Sequence, residues 1–518
     1  MKEPFKRVKG LLFLLSALCL CSRIKVFARQ NGEAAFPFYE DGDVVGVIGD
    51  SITHVQYGPI SYIEALYDYY LSRFPERKIE FRNLGTAGYT AEDVLNIYDQ
   101  DPAFQGINKA IVMLGMNEAL NKVPAEEYLR GMEALIDKLK AEGLKGEDIL
   151  VLAPTPYDDT CALNYDRRGN PYQLIDHLLA AYTNQLAEKT EEWGTRYIDL
   201  HTPMVELTKE IQKENPNNTL TRGDCIHPGA AGQMLISYYI LQAQGGLDPE
   251  AGILVPEEGE ARTARGEITD LYRGEKGISW MMKADTLPVA LTEELREYPE
   301  LYPQAEALYQ EPLMVEGLVS DTFYRVYIGE TELGTYTGNE LAEGVNLAFS
   351  ETHPLQEISQ ELKDINRRLH QKLAEHRAMW IEFGQDGYTK EEIQAAYESW
   401  RTNDTKLREE MYALAQEAAG RILPMSVVRE DCTVRELEQE RAEAKKAAAE
   451  KSAKEVRKKI QKASLAGEKE QELNRIKWFA VSAGFTLIAA ISLSRYLGKK
   501  KRSKKVRKRK RKNKKKLY

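Results

Sequence analysis

Two patterns of hydrophobic and polar positions alternate along residues 43–245. Short apolar runs predict buried strands, whereas apolar positions three and four apart predict amphipathic helices. One such helix is predicted over residues 125–143, with Gly143 as its end. Alternating strands and helices favour an α/β fold, with a parallel sheet covered by helices on both faces. The predicted strands are residues 43–48, 79–84, 109–114, 148–153 and 196–200.

Four segments rich in glycine and polar residues coincide with the carboxyl ends of predicted strands. In open parallel sheets, ligands bind at these ends. The sequence therefore predicts a site at this edge. The segments are GDSITH (49–54), NLGTAG (83–88), LGMNEA (114–119) and APTPY (153–157).

The pattern changes after residue 245. Residues 322–338 alternate around a Gly-Glu bend and predict a β-hairpin, and residues 361–383 and 389–400 predict helices. We interpret residues 246–430 as a smaller α+β module that packs on or beside the first domain, which spans residues 40–245.

Residues 431–476 consist mainly of Glu, Lys, Arg and Ala, with few large apolar side chains. This composition predicts a solvated helical stalk, since helix propensity is high but there is little to bury. A sustained Leu/Ile seam, which a coiled coil needs, is missing.

The amino terminus has the pattern of a signal peptide over residues 1–28. Four basic residues precede an apolar run from Gly10 to Cys21, and residues 26–28 fit a cleavage site. An uncleaved membrane anchor is the alternative interpretation.

Residues 477–497 predict a single transmembrane helix. Residues 478–494 carry no charge and would span roughly 25 Å, the short end of what a bilayer core requires. A basic tail, residues 498–518, follows. By the positive-inside rule the tail is cytoplasmic, so the body of the protein is expected outside the cell as a single-pass membrane protein.

Charge is distributed unevenly along the chain. The formal net charge is −9, yet the last 20 residues hold 15 lysines and arginines and no acid, so the preceding part carries −24. Beside a transmembrane helix, such a tail is expected to contact anionic lipid rather than nucleic acid.

Ser51 follows the first predicted strand and is a candidate nucleophile. In the segment GDCIHPG, Asp224 precedes His227 by three residues. A turn of this length brings the carboxylate onto imidazole Nδ1 and leaves Nε2 to accept a proton. Alternatively, Asp224 only begins a helix and the histidine is incidental. His177 lies in a helical pattern, and His201 has no acid close behind it.

Acyl transfer also needs hydrogen-bond donors for an oxyanion. The glycine-lined segment 83–90 offers a backbone N–H, and Asn117 offers a side-chain amide directly after a strand. Ordinary turn chemistry would explain both equally well.

Together, the segments GDSITH, NLGTAGYT, GMNEA and DCIHPG resemble the four sequence blocks of the SGNH (GDSL-type) hydrolases, in the family order. The resemblance implies a three-layer α/β/α sandwich with a flavodoxin-like parallel sheet. It implies Ser51 as nucleophile, Asp224 and His227 as its partners, and an oxyanion hole formed by Ser51, Gly88 and Asn117. Glu118 departs from the family, where aspartate is common. No metal or other cofactor is implied.

The expected function is that of an extracellular, membrane-tethered serine esterase acting on short acyl esters, especially acetyl esters of carbohydrate. The alternatives are a lipase or lysophospholipase, and a non-catalytic surface binding protein on the same scaffold. Cys161 and Cys225 are either a disulfide, which an exported protein can form, or structural thiols.

Overall fold

The computed structural model of the protein describes residues 37–54, 60–161, 174–245, 247, 252–292, 298–350, 352–381 and 389–465. Its amino-terminal part alternates strands and helices. The strands are β1 (Val44–Gly49), β2 (Glu80–Asn83), β3 (Lys109–Met113), β4 (Ile149–Leu152) and β5 (Arg196–Ile198). The helices are α1 (Ser51–His54), α2 (Tyr62–Arg73), α3 (Ala91–Tyr98), α4 (Met116–Leu120), α5 (Ala125–Ala141), α6 (Ile175–Trp193), α7 (His201–Glu214) and α8 (Ala230–Ala243).

The five strands form one parallel sheet in the order β2-β1-β3-β4-β5. This is the flavodoxin-like order. All five predicted strands are confirmed to within two residues at each end, and the helix predicted over residues 125–143 is α5. Gly143 follows this helix with a positive φ of 106°, a conformation that favours glycine.

Helices cover both faces of the sheet. Helix α5 packs on both α3 and α6, and α2 packs on α8. Right-handed crossovers in a sheet of this order place these two groups on opposite faces. The central strands between them are wholly buried, with Val45, Val47, Ile111 and Val112 at 0% exposure. The α/β class predicted from the sequence is therefore confirmed, and it sets the carboxyl ends of all five strands at one edge.

Two further sheets follow. Their strands are β6 (Ile253–Val255), β7 (Arg262–Thr263), β8 (Glu267–Arg273), β9 (Gly277–Lys283), β10 (Pro312–Val315), β11 (Phe323–Ile328), β12 (Thr331–Thr337), β13 (Val345–Asn346) and β14 (Ile422–Arg429). One sheet has the order β13-β10-β6-β7 and the other β12-β11-β14-β9-β8. They share a hydrophobic core around Trp280. The predicted hairpin is β11–β12.

Between these strands run α9 (Tyr302–Leu308), α10 (Gly338–Glu343), α11 (Gln356–Ile381) and α12 (Lys390–Ala419). Helix α12 continues well past residue 400, where the predicted helix (389–400) ends. The prediction stopped short because charged side chains such as Asp404 and Arg408, which are buried in the structure, interrupt the hydrophobic pattern of the sequence.

The long helices α11 and α12 pack on the α/β part of the chain. They pack on each other, and both contact α2, while α11 also contacts β2, the edge strand of the parallel sheet. Their buried side chains belong to the same hydrophobic core as the sheet. Residues well beyond 245 therefore complete the packing around the parallel sheet and cover its edge.

A buried cluster of charges holds α12 to the start of β2. Glu80 lies 2.6 Å from Arg82 Nε and 2.5 Å from Arg401 Nη2, and Arg408 approaches it to 3.9 Å. Burial by itself raises the pKa of Glu80, but the charges of Arg408 and Arg82 and the hydrogen bonds from Arg401 and Arg82 outweigh it and lower the pKa to about 2.

The last described element is α13 (Val434–Leu465), most of which belongs to a separate unit of the chain that begins at residue 435. Nearly all its side chains from 442 to 459 are exposed. Among the residues described here, no helix is long and apolar enough to span a bilayer. The predicted signal peptide (1–28), transmembrane helix (477–497) and basic tail (498–518) lie outside these residues.

We predict that Glu80→Gln destabilises the protein by about 3 kcal/mol at pH 7, because it leaves buried arginines without their counter-charge. A carboxyl with a lowered pKa stabilises the folded state above its unfolded value of 4.5, and this contribution disappears as the pH falls towards 2. The loss should therefore shrink at pH 4. Urea unfolding at both pH values measures it.

Glu409→Gln is the matched control, because Glu409 pairs with Lys78 at the same helix interface but is half exposed. It should cost less than about 1 kcal/mol. Equal losses for the two variants would contradict the assigned role of Glu80.

Candidate active site

Ser51 lies at the carboxyl end of β1, where the chain turns directly into the short helix α1. The buried Asp50 secures this turn: its Oδ1 accepts a hydrogen bond from the Ile52 N–H at 2.8 Å, and its carbonyl accepts one from the His54 N–H at 2.9 Å. The serine is therefore held at the edge of the sheet by a neighbour that is itself fixed.

His227 connects Ser51 to Asp224. Its Nε2 lies 2.8 Å from Ser51 Oγ, and its Nδ1 lies 2.7 Å from Asp224 Oδ2. The other carboxylate oxygen of Asp224 accepts the backbone N–H groups of Ile226 (3.1 Å) and His227 (2.8 Å). The short turn that separates the two residues thus fixes the carboxylate by its own backbone.

Helix α8, which begins directly after the His227 turn, is tied to the serine helix. The buried side chain of Gln233 donates to the Ile52 carbonyl at 3.1 Å and accepts from the Tyr62 N–H at 3.0 Å. One amide therefore links the elements that carry His227 and Ser51. Gln233 lies outside the four sequence blocks, and sequence reasoning therefore missed it.

The loop from Asn83 to Thr90 carries Gly88 and lies against α1. A Cβ on Gly85 would come within 2.5 Å of the His54 backbone nitrogen, so only glycine permits this approach. The Asn83 side chain binds both sides of the contact, because it donates to the Thr53 carbonyl at 2.8 Å and accepts from the Gly85 N–H at 2.9 Å.

Gly88 has a positive φ of 81°, which orients its backbone in a way that few other residues allow. Next to it, the Tyr89 carbonyl accepts a hydrogen bond of 3.0 Å from Asn117 Nδ2. Asn117 belongs to α4, directly after β3. Gly88 and Asn117, two of the three predicted oxyanion donors, therefore lie on neighbouring segments at the same edge of the sheet.

Glu118 fastens the far end of the same loop. Its Oε1 accepts the Ala91 N–H at 3.1 Å, at the start of α3. Burial raises the pKa of Glu118, despite backbone hydrogen bonds that lower it. The glutamate at this position, where aspartate is common in the family, thus contacts the start of the preceding helix, α3.

The pKa values of two carboxyl groups near Ser51, those of Asp224 and Asp50, are shifted in opposite directions. Burial would raise the pKa of Asp224, but the hydrogen bonds from the side chain and backbone of His227 and from Ile226 lower it to about 2. Burial raises the pKa of Asp50 to about 7, and the charge of Glu118 adds to this effect. Asp224 is therefore the ionised carboxylate that faces imidazole Nδ1 at neutral pH.

Residues 47–235 match the model of the GDSL-like lipase/acylhydrolase family. This part of the chain belongs to that family. The protein is therefore a serine-type ester hydrolase with a GDSL-like domain. A comparison with curated proteins finds no match.

Solved structures are similar to this chain to different degrees. A gut microbial diltiazem-metabolizing enzyme is 21% identical, and the likeness covers 77% of this chain and 100% of that enzyme with a TM-score of 0.65. An acetylxylan esterase from Geobacillus stearothermophilus is 20% identical over 40% of this chain and 95% of its own, with a TM-score of 0.33. The first likeness extends well beyond residues 47–235, so its shared fold includes later sheets and helices.

A pocket of about 210 Å³ lies beside the His227 turn of the GDSL-like domain. Its wall includes Pro228, directly after His227, together with residues that follow β4 and residues of α7. The lining combines apolar side chains, including Met204, Val205 and Leu220, with polar and charged ones. Among these are Asp158, Asp159, Asp176, Lys209 and Gln212.

Cys161 and Cys225 form a disulfide, which was one of the two alternatives left open by the sequence. Cys225 directly follows Asp224 and has a positive φ of 70°. Its carbonyl also accepts the Asp158 N–H at 2.9 Å. The segment after β4 is therefore bonded to the turn that carries Asp224 and His227.

The other histidines of the GDSL-like domain lie apart from Ser51 Oγ. His54 Nδ1 is 3.2 Å from the Gly85 carbonyl, and His177 is exposed on α6. His201 Nε2 is 2.9 Å from Asp176 Oδ1. Because Asp176 lies 25 residues earlier in the chain, the sequence around His201 did not indicate this partner.

We predict that Cys161→Ser lowers the free energy of unfolding by about 4 kcal/mol, since the bridge closes a loop with a sequence separation of 64. Thermal unfolding with and without dithiothreitol measures the effect. The reductant should lower the Tm of the native protein and leave that of Cys161→Ser unchanged. Cys432→Ser, at a buried cysteine outside the bridge, is the control. A native Tm that does not respond to the reductant would contradict this prediction.

Proposed function

We propose that the protein hydrolyses short-chain acyl esters, with Ser51 as nucleophile, His227 as general base and acid, and Asp224 as the group that orients His227. The observation that carries the proposal is the pair of contacts made by one imidazole, 2.8 Å to Ser51 Oγ and 2.7 Å to Asp224 Oδ2. This is the geometry by which a serine hydroxyl is activated.

In the first half-reaction Ser51 Oγ attacks the ester carbonyl carbon while its proton moves to His227 Nε2. The ionised Asp224 stabilises the resulting imidazolium. When the tetrahedral intermediate collapses, the C–O bond to the alcohol breaks and Nε2 returns the proton to the leaving oxygen. Water then attacks the acyl-enzyme by the same proton path, which releases the acid and restores Ser51.

The oxyanion would be held by the backbone N–H groups of Ser51 and Gly88 and by the amide of Asn117. An amide nitrogen has two N–H bonds, and the contact of Asn117 with the Tyr89 carbonyl engages one of them. The second remains for the substrate. Because the same contact fixes the orientation of the amide, the donor needs little reorganisation during the reaction.

The pocket beside His227 is small, at about 210 Å³, and suits a short acyl group or a sugar-sized alcohol better than a long fatty acyl chain. Its carboxylates, Lys209 and Gln212 can bind hydroxyl groups, while Met204, Val205 and Leu220 supply apolar surface. We therefore propose acetyl or similarly small acyl esters on carbohydrate.

The proposed location is the outer surface of the cell membrane. It rests on the sequence pattern of the signal peptide, the apolar run at 478–494 and the basic tail. A helix of 32 residues, α13, precedes these last two segments along the chain.

We predict that Ser51→Ala reduces hydrolysis of p-nitrophenyl acetate to background, because no other group replaces the attacking oxygen. The native protein should hydrolyse the acetate faster than the octanoate or the palmitate. Release of p-nitrophenol measures both effects. Ser237→Ala is a matched control, because that buried hydroxyl bonds only to the Met234 carbonyl within α8.

Turnover that persists in Ser51→Ala would refute the assigned nucleophile. Preference for palmitate would favour a lipase, and a native protein inactive on every ester would favour the binding-protein alternative.

We predict that Asn117→Ala lowers kcat by about 100- to 1,000-fold with little change in KM, because the amide stabilises charge that develops only in the transition state. Steady-state kinetics on p-nitrophenyl acetate measure this. Asn121→Ala, at an exposed residue just after α4, is the control. A change confined to KM would show that Asn117 binds substrate and does not act on the oxyanion.

A further inference from the structure

Arg377 reaches the Gly88 loop from a helix outside the residues that match the family. It belongs to α11, and its side chain is only 3% exposed. The guanidinium donates from Nη1 to the Gly85 carbonyl at 2.8 Å and, at 3.4 Å, to the Asn83 carbonyl. From Nη2 it donates to Thr86 Oγ1 at 3.3 Å. One side chain thus contacts three successive parts of this loop.

The charge of Arg377 is balanced inside the protein. Its Nε donates to Asp101 Oδ2 at 2.8 Å, and the Asp101 side chain is 1% exposed. The other oxygen of Asp101 accepts the Ala103 N–H at 2.9 Å. A guanidinium fork held in this way is rigid, and its remaining N–H groups have fixed directions.

The loop depends on such external contacts, because two of the four residues 85–88 are glycines, Gly85 and Gly88, on either side of a Thr-Ala pair. Its own anchor on β1 is the Thr86 N–H, which donates to the Gly49 carbonyl at 3.0 Å. Arg377 binds the Gly85 carbonyl and the Thr86 hydroxyl of the same segment. The direction of the Gly88 N–H, two residues further on, follows from how this segment is held.

We propose that Arg377 is a positioning residue for the oxyanion hole. Helix α11, more than 120 residues beyond the end of the family match, thereby completes the active site of the GDSL-like domain. This inference rests on the proposed function, since it assigns Arg377 to the loop that would present Gly88 to the oxyanion. The α11–α12 pair then has a catalytic consequence in addition to covering the edge of the sheet.

The test compares Arg377→Met with Arg408→Met in the full-length protein. Arg408 is the control, because it is buried like Arg377 and likewise joins the long helices to the α/β part of the chain. Its contacts are with Asp404 and Tyr67, and near the start of β2 with Glu80, at the other end of the strand from the Gly88 loop. Both variants should lose stability, which thermal unfolding measures.

Only Arg377→Met should lower kcat, by about 10- to 100-fold with KM nearly unchanged. The same variant should weaken inhibition by a boronic acid, which forms a tetrahedral adduct on the serine, by a similar factor. Arg377→Lys keeps the charge for Asp101 but cannot hold several acceptors in a fork, so it should fold and lose about 3- to 10-fold in kcat.

Equal kinetic effects of Arg377→Met and Arg408→Met would overturn the inference, as would loss of activity through KM alone. If Arg377→Met does not fold, an unchanged kcat and boronate affinity in Arg377→Lys would overturn it instead. These results are distinguishable from failure of the proposed function, which would appear as turnover retained by Ser51→Ala.

Discussion

The contact between Ser51 Oγ and His227 Nε2 joins residues that are 176 positions apart, and the architecture of the α/β part serves to maintain it. The parallel sheet brings the end of β1 to the edge where the His227 turn lies. Gln233 then ties the helix after His227 to the helix that begins at Ser51. Asp224, which is fixed by backbone N–H groups and lies next to a disulfide, contacts Nδ1 of the imidazole. Since Ser51 contacts Nε2, both nitrogens of the ring have a partner.

The loop that carries Gly88 depends on three separate parts of the chain. Asn117 and Glu118 hold its end, Asn83 and the β1 terminus hold its start, and Arg377 contacts it from α11. In the proposed mechanism this loop supplies an oxyanion donor, so its rigidity bears directly on catalysis. Residues outside the GDSL-like match therefore belong to the same functional unit as those within it.

The α/β fold and the positions of the candidate site residues were predictable, because both depend on short-range patterns. Strand periodicity identifies β1. The three-residue spacing allows Asp224 to contact His227, and the resemblance to the SGNH hydrolases favours this pairing over an incidental histidine. Gln233 and Arg377 were not predictable, since each acts on a backbone group far away in sequence and lies in a helix with no distinctive pattern. The extent of α12 was underestimated because its buried charges resemble a solvated surface until their partners on β2 are known.

The proposed hydrolysis depends on the activation of Ser51 by His227. Reaction of the intact protein with a fluorophosphonate, followed by peptide mass mapping, measures this activation. We expect one adduct per chain, located on Ser51, and its disappearance when His227 is replaced by alanine. An adduct on another residue, or labelling of Ser51 that does not depend on His227, would show that His227 does not activate Ser51.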